Sequence, residues 1–75
     1  MDEWKERLKA EYAQTKELYE KLHKRNIANA VLRMTSDALT RNDRENMELL
    51  ERQESSMRDY LHCLELRAAL NGIEL

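Results

Sequence analysis

Apolar residues recur along this chain at the spacing of helix faces. Trp4, Leu8, Tyr12, Thr15, Leu18, Tyr19 and Leu22 follow one another at steps of one, three or four, the signature of a single helical face. They predict a first helix beginning near residue 3. Past His23 the stripe changes side: Ile27, Ala30, Val31 and Met34 form a new one, turned by roughly a quarter turn or more at about 100° per residue. Two continuations fit. The helix ends or kinks near "HKRN", at about residue 25, leaving a short extra helix, or it runs on to about residue 34 and meets a different neighbour. The segment "TSDALTRNDRE" is the turn, over about 35–42. Thr40 and Asn42 are both N-cap candidates, each with an acid three residues on. A second helix over about 43–71 follows, with Gly72 placed for a left-handed C-cap. The pattern describes one all-α domain over residues 1–75, an antiparallel helical hairpin.

The second helix carries more apolar side chain than one face can hold. Leu50, Met57, Leu61, Leu64 and Ala68 form the main stripe, expected to pack on the first helix. A heptad track through Leu50, Gln53, Met57, Tyr60, Leu64 and Arg67 places Gln53 and Arg67 where a bundle would prefer leucine. Cys63, Leu66 and Leu70 lie nearly opposite the main stripe. A lone hairpin can cover one of these faces. The second asks for another copy of the chain or for a partner protein; another copy is favoured, making Cys63, Leu66 and Leu70 the expected interface of a homo-oligomer. Cys63 itself reads as a small buried hydrophobe.

Composition sharpens this picture. The chain has no proline, one glycine, no phenylalanine and 37% charged residues, which suits long helices and leaves little strand or turn chemistry. Seventy-five residues make a marginal core. A single cysteine gives no internal disulfide, and no Cys/His cluster has metal-ligand spacing, so oligomerisation is the remaining staple. No cofactor and no metal are expected. A net charge of −2 speaks against a general binder of long nucleic acid. The charged start "MDEWKERLK" is unlike a signal peptide, and no stretch reaches the length of a membrane span. The expectation is a cytoplasmic protein.

Nothing in the sequence marks a catalyst. No nucleophile–base pair and no phosphate-cradling glycine loop is present, and His23 and His62 stand alone, so the chain is not expected to be an enzyme. The first helix offers binding chemistry instead. Lys5, Lys9, Lys16 and His23 fall on one side, bordered by Tyr12 and Tyr19, while Glu3, Glu6, Glu17 and Glu20 fall mostly on the other. Ammonium groups beside tyrosine rings are what an anionic, aromatic ligand requires, with Tyr12 for stacking and Lys9 or Lys16 for phosphate. The plainer alternative is a solvated charged face whose tyrosines edge the core. Arg67 has two readings too: a marginal residue snorkelling to water, or one gathered with its own copies at an oligomer axis around an anion.

"RLKAEYAQTKELYEKL" followed by "LLERQESSMRDYLHCLELRAAL" resembles the helical hairpin of phage anti-CBASS cyclic-nucleotide sponges, a hairpin shared with an anti-Thoeris sponge family. The family's R-[LV]-x-x-E opening is matched by Arg7, Leu8 and Glu11, and its K-L pair by Lys21 and Leu22. Its L-L-x-x-Q-x-x-x-M-x-x-Y-x-x-x-L-x-x-R series is matched in register by Leu49, Leu50, Gln53, Met57, Tyr60, Leu64 and Arg67. The stretch from Leu22 to Leu49 is longer than the family's usual connection and lacks its aromatic and proline residues. The resemblance implies a non-enzymatic oligomer, typically a hexamer, that sequesters cyclic di- or trinucleotide immune signals in the cytoplasm of an infected bacterium. It also implies that Arg67 faces a phosphate of a trinucleotide. A structural or adaptor hairpin is the alternative, with a small RNA-binding hairpin third.

Overall fold

The structure, a computed structural model, describes residues 3–75. Two helices make up the hairpin, α1 (Glu3–Thr35) and α2 (Arg41–Leu70). The first runs through "HKRN" without a break, which decides between the two continuations left open by the sequence. The molecule measures 56 × 16 × 14 Å, the shape of two long helices side by side.

The seam between the helices follows one rule. In α1 it is built by Lys5, Leu8, Tyr12, Thr15, Tyr19, Leu22, Asn26, Asn29 and Arg33, all buried or half-buried, at alternating steps of three and four. In α2 every residue that is not exposed obeys the same alternation: Asp43, Met47, Leu50, Glu54, Met57, Leu61, Leu64 and Ala68. This is the heptad spacing of helices that wind about each other. The track proposed from sequence through Gln53, Tyr60 and Arg67 is therefore corrected. Those three residues are exposed, one position short of Glu54, Leu61 and Ala68, and so turned about 100° away from α1. The main stripe itself packs on α1 as expected.

Apolar burial is concentrated at the open end. Leu8, Leu64 and Ala68 form its cluster, with Tyr12 and Ile73 packed against them. Ile73 reaches there because α2 ends in a tight reversal. Its N–H bonds the carbonyl of Ala68 at 2.8 Å and that of Gly72 bonds Ala69 at 3.3 Å, with Gly72 at φ 67°. These are the paired bonds of a left-handed helix terminus, which glycine adopts without strain. Halfway along, the seam turns polar. Asn26 Nδ2 donates to Glu54 Oε1 at 2.8 Å and to the Leu50 carbonyl at 3.1 Å. His23 Nδ1 and Arg58 Nη2 lie 2.9 and 3.0 Å from Glu54 Oε2. Both Asn26 and Glu54 are buried. At the turn, Thr40 is the N-cap: its hydroxyl accepts from the Asp43 N–H and its own N–H donates to the Asp43 carboxylate, each at 3.0 Å.

Two expectations fail on burial. Of the stripe Ile27, Ala30, Val31 and Met34, Ala30 is half-buried and the three larger residues are exposed, because the seam continues through Asn26, Asn29 and Arg33 instead. Cys63 is exposed, not buried, since its phase on α2 points away from α1. Leu66 and Leu70 are exposed as well.

Candidate functional site

The helical period places Lys9, Tyr12 and Lys16 on one flank of α1, and the hairpin turns that flank into the wall of a groove. Lys9, Tyr12, Ala13, Lys16, Glu17 and Glu20 line a depression of about 400 Å³ together with Glu74 and Leu75. The reversal after Gly72 brings those last residues back over α1. A second depression of about 440 Å³ continues between the helices, lined by Tyr12, Lys16, Tyr19 and Glu20 with Arg58, Asp59, His62 and Glu65 of α2.

Hydrogen bonds hold the aromatic side chains in place. Tyr12 donates its hydroxyl to Glu65 Oε2 at 2.9 Å, and the carboxylate that accepts this bond pushes the Tyr12 phenol above its ordinary value. Lys16 Nζ stands 5.8 Å from the centre of the Tyr12 ring. Arg58 Nε donates to the Tyr19 hydroxyl at 3.1 Å, and its guanidinium also lies 5.8 Å from the Tyr19 ring centre. The Tyr19 and His23 rings are stacked, with centroids 6.0 Å apart. A planar ligand stacking on Tyr12 would have to share or displace the Lys16 ammonium, which is then near enough to meet a phosphate on that ligand.

The sequence-derived candidates are divided by the fold. Tyr12, Lys9 and Lys16 come together on the groove flank. Arg67 lies on the opposite flank of the hairpin, exposed, near Tyr60, which donates its hydroxyl to Glu11. Cys63, Leu66 and Leu70 are exposed on the outer side of α2. Glu17 and Glu20, assigned from sequence to the acidic side of α1, instead line the groove with Lys16. The groove therefore mixes Lys16, Arg58 and His62 with Glu20, Asp59 and Glu65. Both tyrosines are half-buried in the seam, so the plainer reading of them as the edge of the core is part of what is observed.

Arg58 and Glu65 were not singled out by the sequence. Their signal was available: each is four residues from a seam position of α2, Glu54 and Leu61, on the flank facing Lys16. A third depression, of about 590 Å³, lies near the turn on the Arg67 side and brings Arg25 and Asn29 of α1 to Asn46 and Gln53 of α2. Among the described residues, no group of His, Cys, Asp and Glu could hold a metal ion, and no helix is long and apolar enough to cross a membrane.

A family model described as Sequestin matches residues 2–70. The chain belongs to the Sequestin family. The match spans both helices, including all the residues that carried the resemblance to phage sponges, and is consistent with it. The Sequestin name speaks of sequestration and specifies no ligand. No curated protein and no solved structure matches the chain.

Proposed function

We propose that this chain is a phage-encoded sponge. It binds a small nucleotide immune signal, a cyclic di- or trinucleotide, and withholds it without cleaving it, counteracting CBASS-type defence in the cytoplasm of the infected bacterium. The observation that carries this reading is the Sequestin match over residues 2–70. The groove supplies matching chemistry: Tyr12 offers a ring to a base, and Lys16 and Lys9 offer ammonium groups to phosphate. Arg67, on the other flank, is a separate phosphate contact, its planar fork suited to the oxygens of a trinucleotide. The working form is a homo-oligomer, a hexamer by resemblance. No residue acts as a catalyst in this scheme.

Calorimetry and thermal shift against cyclic dinucleotides, cyclic trinucleotides and pyrophosphate-linked nucleotides test it. Heat denaturation and chromatography of the released ligand follow. Binding raises the melting temperature, and the nucleotide returns intact. A chemically altered product, or no binding by any member of the panel, overturns the reading. Tyr12→Ala removes a stacking surface of about 1–3 kcal/mol per base, a loss of roughly five- to 150-fold. Arg67→Ala abolishes trinucleotide binding and leaves the dinucleotide site nearly intact. Undiminished affinity in Tyr12→Ala and Lys16→Ala together would show that the ligand sits elsewhere.

A further inference from the structure

The seam of each helix has a second, exposed track one residue before it. In α1 that track includes Trp4, Glu11, Leu18, Arg25 and Leu32, each a heptad from the next. In α2 it includes Leu49, Gln53, Tyr60 and Arg67. The bond from Tyr60 to Glu11 puts the two tracks on one face of the hairpin, as does the depression that Arg25 and Leu32 share with Leu49 and Gln53. Trp4, Leu18, Leu32, Leu49 and Tyr60 are all exposed there. Two contact tracks about 100° apart are what a helix needs to meet two neighbours in a four-helix bundle.

The order of residues along this face is self-complementary about its middle. Leu18 is the centre of the α1 track: Glu11 and Arg25 lie one heptad to either side, and Trp4 and Leu32 two heptads. On α2, Gln53 and Arg67 lie one heptad to either side of Tyr60. The bond between Arg58 and Tyr19 sets Leu18 and Tyr60 at nearly the same height. We infer that two copies pair face to face about a two-fold axis at that height, their turns pointing in opposite directions, to form a four-helix bundle. Leu18 then meets Leu18, Tyr60 meets Tyr60, Trp4 meets Leu32, and Glu11 of each copy meets Arg25 of the other. A slip of one heptad would set Trp4 against Arg25 and Leu18 against Glu11, so the charges fix the register.

The pairing deepens the self-association proposed above and moves it to the face that carries Arg67, which comes beside Gln53 of the other copy, and it leaves the Tyr12 groove open on the opposite flank. Leu66, expected from sequence at the interface, stays in solvent. Cys63 and Leu70, two and three heptads from Leu49, fall with it at the edge of the new one. The other exposed apolar stripe, Ile27, Val31 and Met34, occupies one helix end and shows no such mirrored order.

Light-scattering mass across protein concentration and oxidative cross-linking decide the matter. Leu18→Glu breaks the pair and lowers the mass while Leu66→Glu leaves the mass unchanged. Glu11→Arg and Arg25→Glu each weaken association by about tenfold or more, and the two together restore it. In a Cys63→Ser background, Leu18→Cys forms a disulfide with its own copy and Lys24→Cys does not, a readout that holds even if Leu18→Glu fails to fold. A monomeric wild type overturns the pairing, as does loss of the assembly in Leu66→Glu. So does rescue of Glu11→Arg by Arg67→Glu in place of Arg25→Glu, which would require the turns to lie together. A monomer that still binds nucleotide removes this pairing and leaves the ligand reading standing. A pair with these properties that binds no nucleotide does the reverse.

Discussion

The two halves of the seam hold the helices together by different physics. At the open end, Leu8, Leu64 and Ala68 exclude water among themselves, with Ile73 packed against them. In the middle, Asn26 and Glu54 are buried together and held by hydrogen bonds, with His23 and Arg58 at the rim. The apolar end gains free energy from any close fit. The polar middle gains little beyond its desolvation cost, but tolerates one alignment, because a shift by a single turn would strand a buried carboxylate. The Oδ1 atom of Asn26 already lacks a hydrogen-bond partner. Strength and register thus reside in different places along one seam.

The largest expected effect breaks the apolar end. Leu64→Ala removes the most deeply buried side chain and should cost about 2–5 kcal/mol. In so thin a hairpin that is enough to leave much of the chain unfolded at low concentration, read as loss of helical circular dichroism in urea titration. A change under 1 kcal/mol would mean that the cluster contributes little.

The next effect separates strength from register. Asn26→Ala takes away the main donor to Glu54 and should cost about 1–3 kcal/mol. The double change Asn26→Leu with Glu54→Leu turns the middle into a copy of the open end. It should be neutral or stabilising by up to about 4 kcal/mol, with a loss of unique helix alignment visible as broadened NMR signals. A double variant less stable than Asn26→Ala would contradict this division of roles.

A smaller effect follows from pH. Glu54 is held below its ordinary value of 4.5, first by the hydrogen bond from Asn26 and then by that from His23. The folded chain therefore binds this proton more weakly than the unfolded chain. The stabilisation is complete above the ordinary value and drains away as pH falls through the lower folded one. Asp43 is shifted in the same direction by its bonds with Thr40, so Glu54→Gln should flatten part of the acid limb and Asp43→Asn another part. An acid limb unchanged in Glu54→Gln would remove Glu54 from it. Least of all, Glu17→Gln breaks an exposed pair with Lys21 at 3.3 Å and should change stability by only about 0.3–0.5 kcal/mol.

Periodicity made much of this fold legible. The main stripe on α2 and the left-handed Gly72 each follow from a local rule that needs no partner to state it, and the same kind of rule narrowed the cap to Thr40 or Asn42, of which Thr40 is the one used. The polar middle was not legible, because a glutamate at a seam position looks like the end of a stripe until the asparagine across from it is known. The same blindness moved the expected heptad track onto Gln53, Tyr60 and Arg67. Among candidate ligand residues, Tyr12, Lys9 and Lys16 could be grouped from one helix alone. Arg58 and Glu65 depended on how the helices are aligned, and Arg67 could not be placed relative to the others without it.

The apolar end has a kinetic consequence. Leu8 meets Leu64 and Ala68 across most of the chain, so their contact closes one of the longest loops available. Loop entropy rises only logarithmically, however, and each doubling of length costs about 0.6 kcal/mol. Burying a leucine returns about 1.5–3 kcal/mol. Folding is therefore not obliged to zip upward from the turn through the polar middle. The two distant ends can find each other first, and the aligned middle is then selected within a chain already tied into a ring.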